Sequence, residues 1–320
     1  MDIRNEKTYD SVFWTSVVKM TKYFIPLVNE AFGEHFTDKA TISLKRNKQV
    51  LEHSDGSLEQ GEMDALAELS EDDTTKDYHF EVETWKDNTF AIRIAEYAAG
   101  AAYESIQLTD NGAKMTIPYS AVIFLRSAND IPNKLLIEIE YPGGVASYDA
   151  PVMKVKDYSI NELFEKKLLL LLPFFGFNFD DRFEQMEVNG IGELKAALDE
   201  IDGRLTSMVD AGDIDEAQRN HLIDWMKRVL DKLTVNYSSV TKGVDDLMGG
   251  YILHTRTDDI LDRGRAEGRA EGRAEGRVEG QNLMIEAMLR KGKTPEEIAE
   301  LCSVPLQQVK ETEKNMSVLM

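Results

Sequence analysis

A chain of 320 residues, 42% apolar and 8% aromatic, carries enough apolar material for a buried core and is not a disordered polypeptide. Its 37 Lys and Arg against 58 Asp and Glu leave a net charge of −21, which repels phosphate at long range, so nucleic-acid contact requires a local basic patch. One cysteine, Cys302, excludes an intramolecular disulfide and any zinc site with two thiolates. The five histidines show no HxxxH spacing, which leaves a hard cation held by carboxylates as the open metal chemistry.

The opening "MDIRNEKTYD" has no apolar stretch of a signal peptide, and the longest apolar run, "LLLLLPFFGF" at 168–177, is about half of the ~20 residues a spanning helix needs. The expectation is a cytoplasmic protein with no membrane partner. Apolar residues Val12, Phe13, Val17, Met20, Phe24, Leu27, Val28 and Phe32 recur at helical intervals and predict a helix over 8–32. "EMDALAEL" (62–69) and "YHFEVETW" (78–85) predict two strands joined by the acidic turn "SEDDTTKD". From Asn88 to about Ile106 an alanine-rich helix is expected, with Ile92, Ala95, Ala99 and Ala102 on its packing face. "SAVIFLR" (120–126) and "KLLIEIEY" (134–141) add two strands, the first apolar enough to be buried on both faces.

This order of elements predicts an α/β core over 1–160, a mixed sheet with helices around it. A helical extension over 161–255 follows. "INELFEKKLLLLLPFF" is expected as a core helix, and 191–210 and 213–237 as amphipathic helices. Residues 256–282 hold the tetrapeptide repeat "RGRAEGRAEGRAEGRVEG". Glycine every fourth residue costs about 1 kcal/mol each in a helix, and the arginine and glutamate stripes at i,i+4 repel themselves. Either a second helix docks there, arginines against glutamates, in a homo-oligomer, or the segment is a spacer. In the tail, 283–320, Thr294, Pro295 and Glu297 form a capping-box pattern ahead of two short helices. These fit a helix-turn-helix or a small bundle.

Alternate residues of a strand share a face, so His79, Glu81, Glu83 and Trp85 point one way and Tyr78, Phe80, Val82 and Thr84 the other. Asp64 sits across the hairpin. Three carboxylates at mid-sheet repel one another unless a cation sits among them or one keeps its proton. Mg²⁺ suits such a set, because it takes one or two protein carboxylates and fills its shell with water and phosphate oxygens. A solvated strand face is the other outcome of the same pattern.

The string "YHFEVETWKDNTFAIRIAEY" resembles the core motif of the PD-(D/E)xK nuclease superfamily, and more closely that of the recombination-promoting nuclease/transposase (Rpn) family: an acid-x-Gln or acid-x-Lys strand, a polar turn, then a helix with arginine and tyrosine. Glu81 matches the acid, Arg93 the arginine, Tyr97 the tyrosine and Asp64 the aspartate of the preceding strand. Asp10-x-x-Phe13 resembles the opening motif of that family, and later segments, among them "IPYSAVIFLR" and the Gly-Arg-Glu repeat, extend the likeness over most of the chain.

The resemblance implies a restriction-endonuclease-like fold and cleavage of DNA with Mg²⁺ or Mn²⁺. Asp64 and Glu81 would be the metal ligands, with Arg93, Tyr97 and Asp10 in support. This sequence departs from the pattern at Glu83, where the family has glutamine or lysine, and at Trp14, where lysine is common. Glu83 would then position or deprotonate water, and Lys86 is the nearest lysine that could replace the missing charge. Two functions are compatible with these residues: a metal-dependent DNA endonuclease, or a catalytically degenerate nuclease fold acting as a binding or assembly module.

Overall fold

The computed structural model describes residues 6–45, 48–52, 58–84, 90–126 and 131–249, and, near the end of the chain, 288–289, 293–295, 297–298, 307 and 309–310. The chain divides into two compact units, Met1–Thr255 and Arg256–Met320. The first is α/β, built on a mixed six-stranded sheet.

Helix α1 (Glu6–Lys19) and helix α2 (Phe24–Phe32) are separated by a 3-10 turn, Thr21–Tyr23, so the single helix expected over 8–32 is broken. Pro26 explains the break. Its ring would collide with the carbonyl four residues earlier in a continuous helix, but it is tolerated in the first turn of α2. The apolar face survives the break, with Val12, Phe13, Val17, Met20, Phe24, Leu27 and Val28 all buried.

Strand β1 (Thr41–Leu44) leads to a two-stranded ribbon, β2 (Lys48–Glu52) with β3 (Leu58–Glu62). Strands β4 (Ala65–Glu71) and β5 (Thr74–Glu83) then form a hairpin with Ala65 opposite Phe80. The expected eight-residue turn is only Asp72 and Asp73. The threonines at 74 and 75 extend the ladder, and Asp72 takes the left-handed backbone (φ 52) that aspartate tolerates in tight turns.

Helix α3 (Phe90–Glu104) buries Phe90, Ile94, Ala98 and Ala102 and leaves Ile92 exposed. The packing face is therefore rotated from the expected Ile92, Ala95 and Ala99. The i,i+4 stripe starting at Phe90 delivers two large side chains to Val122, Phe124 and Ile131, and then lets alanines approach closely. A small hairpin, β6 (Gln107–Thr109) with β7 (Gly112–Lys114), precedes β8 (Tyr119–Phe124), β9 (Lys134–Tyr141) and β10 (Gly144–Lys154).

The strand order is β1-β4-β5-β8-β10-β9, with β5–β8 and β8–β10 parallel and the other neighbours antiparallel. Strand β10 is absent from the sequence expectation because its glycine, proline and aspartate read as loop. Pro151 stands opposite Lys134, at the end of the β9 ladder, just before Val152 begins pairing with β8.

The apolar run is not the expected continuous helix. Helix α4 (Ile160–Glu165), capped by Ser159 and Glu162, is followed by a turn in which Lys167 has a left-handed backbone (φ 55). The chain then winds as a 3-10 helix over Leu169–Phe179 in which only Asn178 is not buried. Pro173 cannot donate an intrahelical hydrogen bond, and a segment apolar on every side has no solvent face to present.

Helices α5 (Phe183–Asn189), α6 (Gly192–Ala211) and α7 (Glu216–Leu233) follow, the last two close to their expected positions, with a further helical segment at 238–249. They share one apolar core with α1, α2 and the sheet face that carries Tyr78, Phe80 and Val82. On the other face, α3 covers the face of His79, Glu81 and Glu83.

In the second unit, Thr294 and Glu297 exchange hydrogen bonds as the capping box predicts (Glu297 N–H to Thr294 Oγ1, 3.3 Å; Thr294 N–H to Glu297 Oε2, 3.0 Å). Ile298 and Val309 are buried together, packed by Met288 and Leu289. The repeat at 263–280 lies outside the described residues. Among the described residues no helix is long and apolar enough to cross a membrane.

The 3-10 run and α7 touch with no space to spare, since a Cβ added at Gly176 would lie 2.6 Å from Leu230 Cδ2. Gly176→Val should therefore destabilise the first unit by about 1–3 kcal/mol through overpacking, read as a lowered denaturation midpoint.

Candidate active site

Asp64 immediately precedes β4, and the register that pairs Ala65 with Phe80 sets it opposite Glu81. Their contacts are specific. The Val82 N–H donates to Asp64 Oδ2 at 2.7 Å, and the Asp64 N–H donates to Glu81 Oε1 at 3.4 Å. His79, two residues earlier on the same face, bonds Glu81 Oε1 through Nε2 at 2.7 Å and Ser120 Oγ of β8 through Nδ1 at 3.1 Å. Asp64, His79, Glu81, Glu83 and Ser120 are all buried.

Burial is the main force on the ionisation of these groups. It pushes the Asp64 carboxyl well above the usual carboxylate range, and the charges of Glu81 and Asp10 push it further, against the pull of the Val82 N–H. Burial likewise raises Glu81, reinforced by Glu83 and opposed by the Asp64 N–H. Burial pushes His79 down to about 3. The short His79–Glu81 contact is therefore a hydrogen bond around a neutral imidazole at neutral pH rather than an ion pair.

Arg93 and Tyr97 come from α3. The Arg93 guanidinium binds Glu83 Oε1 through Nη2, and Tyr97 meets the His79 ring edge-on with centroids 6.1 Å apart. Asp10 of α1 acts through its charge on both Asp64 and Glu81. Sequence analysis thus names residues that the fold brings together from four elements, while Lys86 and Trp85 lie outside the described residues.

It misses Ser120. The signal available was a lone hydroxyl in the otherwise apolar strand "SAVIF", where a buried polar atom needs a partner. It also misses the cations at the carboxyl ends of β8 and β10, the sheet end to which parallel β5 also leads: Arg126 Nε and Lys156 Nζ hold Asp180 at 2.7 and 3.0 Å.

Among the described residues no three histidine, cysteine or acidic side chains converge into a ready metal cage. A two-carboxylate donor set remains. Asp64 Oδ1 and Glu81 Oε2 accept no hydrogen bond from a described residue, and the Glu81 charge disfavours that of Asp64. That chemistry fits Mg²⁺ or Mn²⁺, which need only one or two protein carboxylates. No family model, no curated protein and no solved structure matches the chain.

The ionisation pattern has a measurable sign. A carboxyl whose folded pKa is raised contributes less stability as pH rises from the ordinary carboxylate range through the folded value, whereas His79 contributes less as pH falls below its ordinary 6.5. Glu81→Gln keeps the hydrogen bond to His79 and has no proton to lose. Relative to wild type it should be more stable at about pH 8 than at about pH 5 by chemical denaturation. A difference that does not change with pH would mean that Glu81 ionises normally in the fold.

Proposed function

We propose that the protein is a divalent-metal-dependent DNA endonuclease of the recombination-promoting nuclease type, with a restriction-endonuclease-like core. The observation that carries this reading is the pair of buried carboxyls, Asp64 and Glu81, facing each other across the β4–β5 hairpin with their charge disfavoured by burial and by neighbouring acids. Asp64 and Glu81 would hold Mg²⁺ or Mn²⁺, which when bound supplies Lewis acidity toward the phosphodiester and an activated water.

The remaining roles belong to the chain. The Val82 N–H fixes the Asp64 carboxyl, and the Ser120–His79 pair fixes that of Glu81, as partners of metal ligands do. Glu83 differs from the glutamine or lysine of the resembled family, and Arg93 compensates by bringing a cation from α3 onto its carboxylate. Arg93, about one-third exposed at 36%, is placed to meet a phosphate oxygen at the same time. Arg126 and Lys156 bring cations to the sheet end where open α/β folds take their ligands, and because Asp180 and Asp181 already pair with them they would reach a phosphate only by exchanging those partners.

Nicking of supercoiled plasmid by the full chain in Mg²⁺ or Mn²⁺ tests the proposal. Chelation should stop it, and Glu81→Ala should lower the rate on the order of 100-fold or more by deleting a ligand. Glu83→Gln should retain or raise cleavage, because it removes a charge that repels phosphate. Loss of activity in Glu83→Gln equal to that in Glu81→Ala would make Glu83 an indispensable base or ligand. Absence of cleavage with either metal would leave the binding or assembly module as the function of this fold.

A further inference from the structure

Strand β9 closes one edge of the sheet, and among the described residues it pairs only with β10. It runs for eight residues, twice the length of β1 at the opposite edge. One face of the β9–β10 hairpin is apolar along its length: Leu135, Ile137, Ile139 and Tyr141 of β9 lie there, with Ala146, Tyr148 and Ala150 of β10 opposite. This is the face that α3 covers near Leu135, but the apolar stripe continues beyond the helix. Ile139 is 38% and Tyr141 51% exposed. A long edge strand with an uncovered apolar face is an open template for another strand.

The sequence of β9 specifies which strand. Antiparallel pairing of "KLLIEIEY" with a second copy, centred on Ile137, places Lys134 opposite Glu140 twice, Leu135 opposite Ile139 twice, Leu136 opposite Glu138 twice, and Ile137 opposite itself. Seven residues pair; every pair on the α3 face is apolar, and on the other face two Lys134–Glu140 attractions flank Leu136, which lies against the aliphatic stem of the opposing Glu138. Centring on Glu138 would set that carboxylate against its own copy. A shift of one residue in the pairing would set Leu135 against Glu140 and Ile137 against Glu138. Centring on Leu136 keeps only five residues of the strand paired.

We propose that β9 is a homodimer interface, in which two copies of this chain join edge to edge into one continuous sheet with Ile137 on the two-fold axis. The two α3 faces, and with them the two candidate sites, then lie on the same side of that sheet. Lys134, which touches Asp149 Oδ2 at 2.6 Å within its own chain, reaches across to the partner's Glu140 on the polar face.

The test is sedimentation equilibrium of the full chain without DNA or metal, so its outcome is separate from that of the nuclease assay. Wild type should dimerise. Glu140→Lys should raise the dissociation constant about tenfold, because two cross-strand attractions become repulsions, and Ile139→Lys should do so at least as strongly. The decisive sample mixes Glu140→Lys chains with Lys134→Glu chains. Each variant opposes like charges when it pairs with itself, yet the mixture restores both attractions, so heterodimers should form where neither variant dimerises well alone. A wild-type monomer at tens of micromolar would overturn the proposal. So would a dimer indifferent to Glu140→Lys and Ile139→Lys, or a mixture that associates no better than its parts.

Discussion

The burial of the Asp64 and Glu81 carboxyls beneath α3 is the constraint on which the rest of the structure depends. A carboxylate removed from water is stable only if it is neutralised, paired or kept protonated, and here two further acids, Glu83 and Asp10, act against its charge. The surrounding polar atoms answer that demand one by one. The Val82 N–H binds Asp64, the neutral His79 ring binds Glu81 and is itself held by Ser120, and Arg93 binds Glu83. None of these would be needed for a strand that only filled a core, since Phe80 and Val82 do that on the opposite face.

Much of the framework is legible in the sequence because it follows from periodicity. The two-residue alternation of "YHFEVE" fixes which side chains share a face with Glu81, and the apolar spacing of 8–32 and 213–237 marks the helices that close the large core. What the sequence conceals has physical causes. Pro26 interrupts a helix whose apolar pattern runs straight through it, and the phase of α3 is decided by Phe90 and Ile94 meeting Val122 and Phe124, a partner surface invisible to a one-dimensional pattern. Strand β10 contains glycine, aspartate and proline because it pairs on different sides along its length, so Pro151 falls where no ladder bond is lost. The 3-10 run after α4 cannot be told from a buried helix by composition, because it is apolar on every side.

Within the candidate site, the acids, the arginine and the tyrosine are readable from motif and spacing, while their mutual contacts are not. Glu83 in isolation looks like an obstacle to phosphate chemistry. With Arg93 lying on it, the strand position and the helix position together set a cation against that carboxylate, and the Arg93 side chain keeps about one-third of its surface, 36%, exposed.

If the two carboxyls are protonated by their surroundings and become ligands when an ion arrives, metal uptake must expel protons. Calorimetric titration of Mn²⁺ into the full chain at about pH 7, repeated in two buffers of different ionisation enthalpy, measures both quantities at once. The account predicts uptake of about one ion per chain with net proton release, and loss of both in Asp64→Asn. No uptake, or uptake without proton release that survives Asp64→Asn, would contradict it.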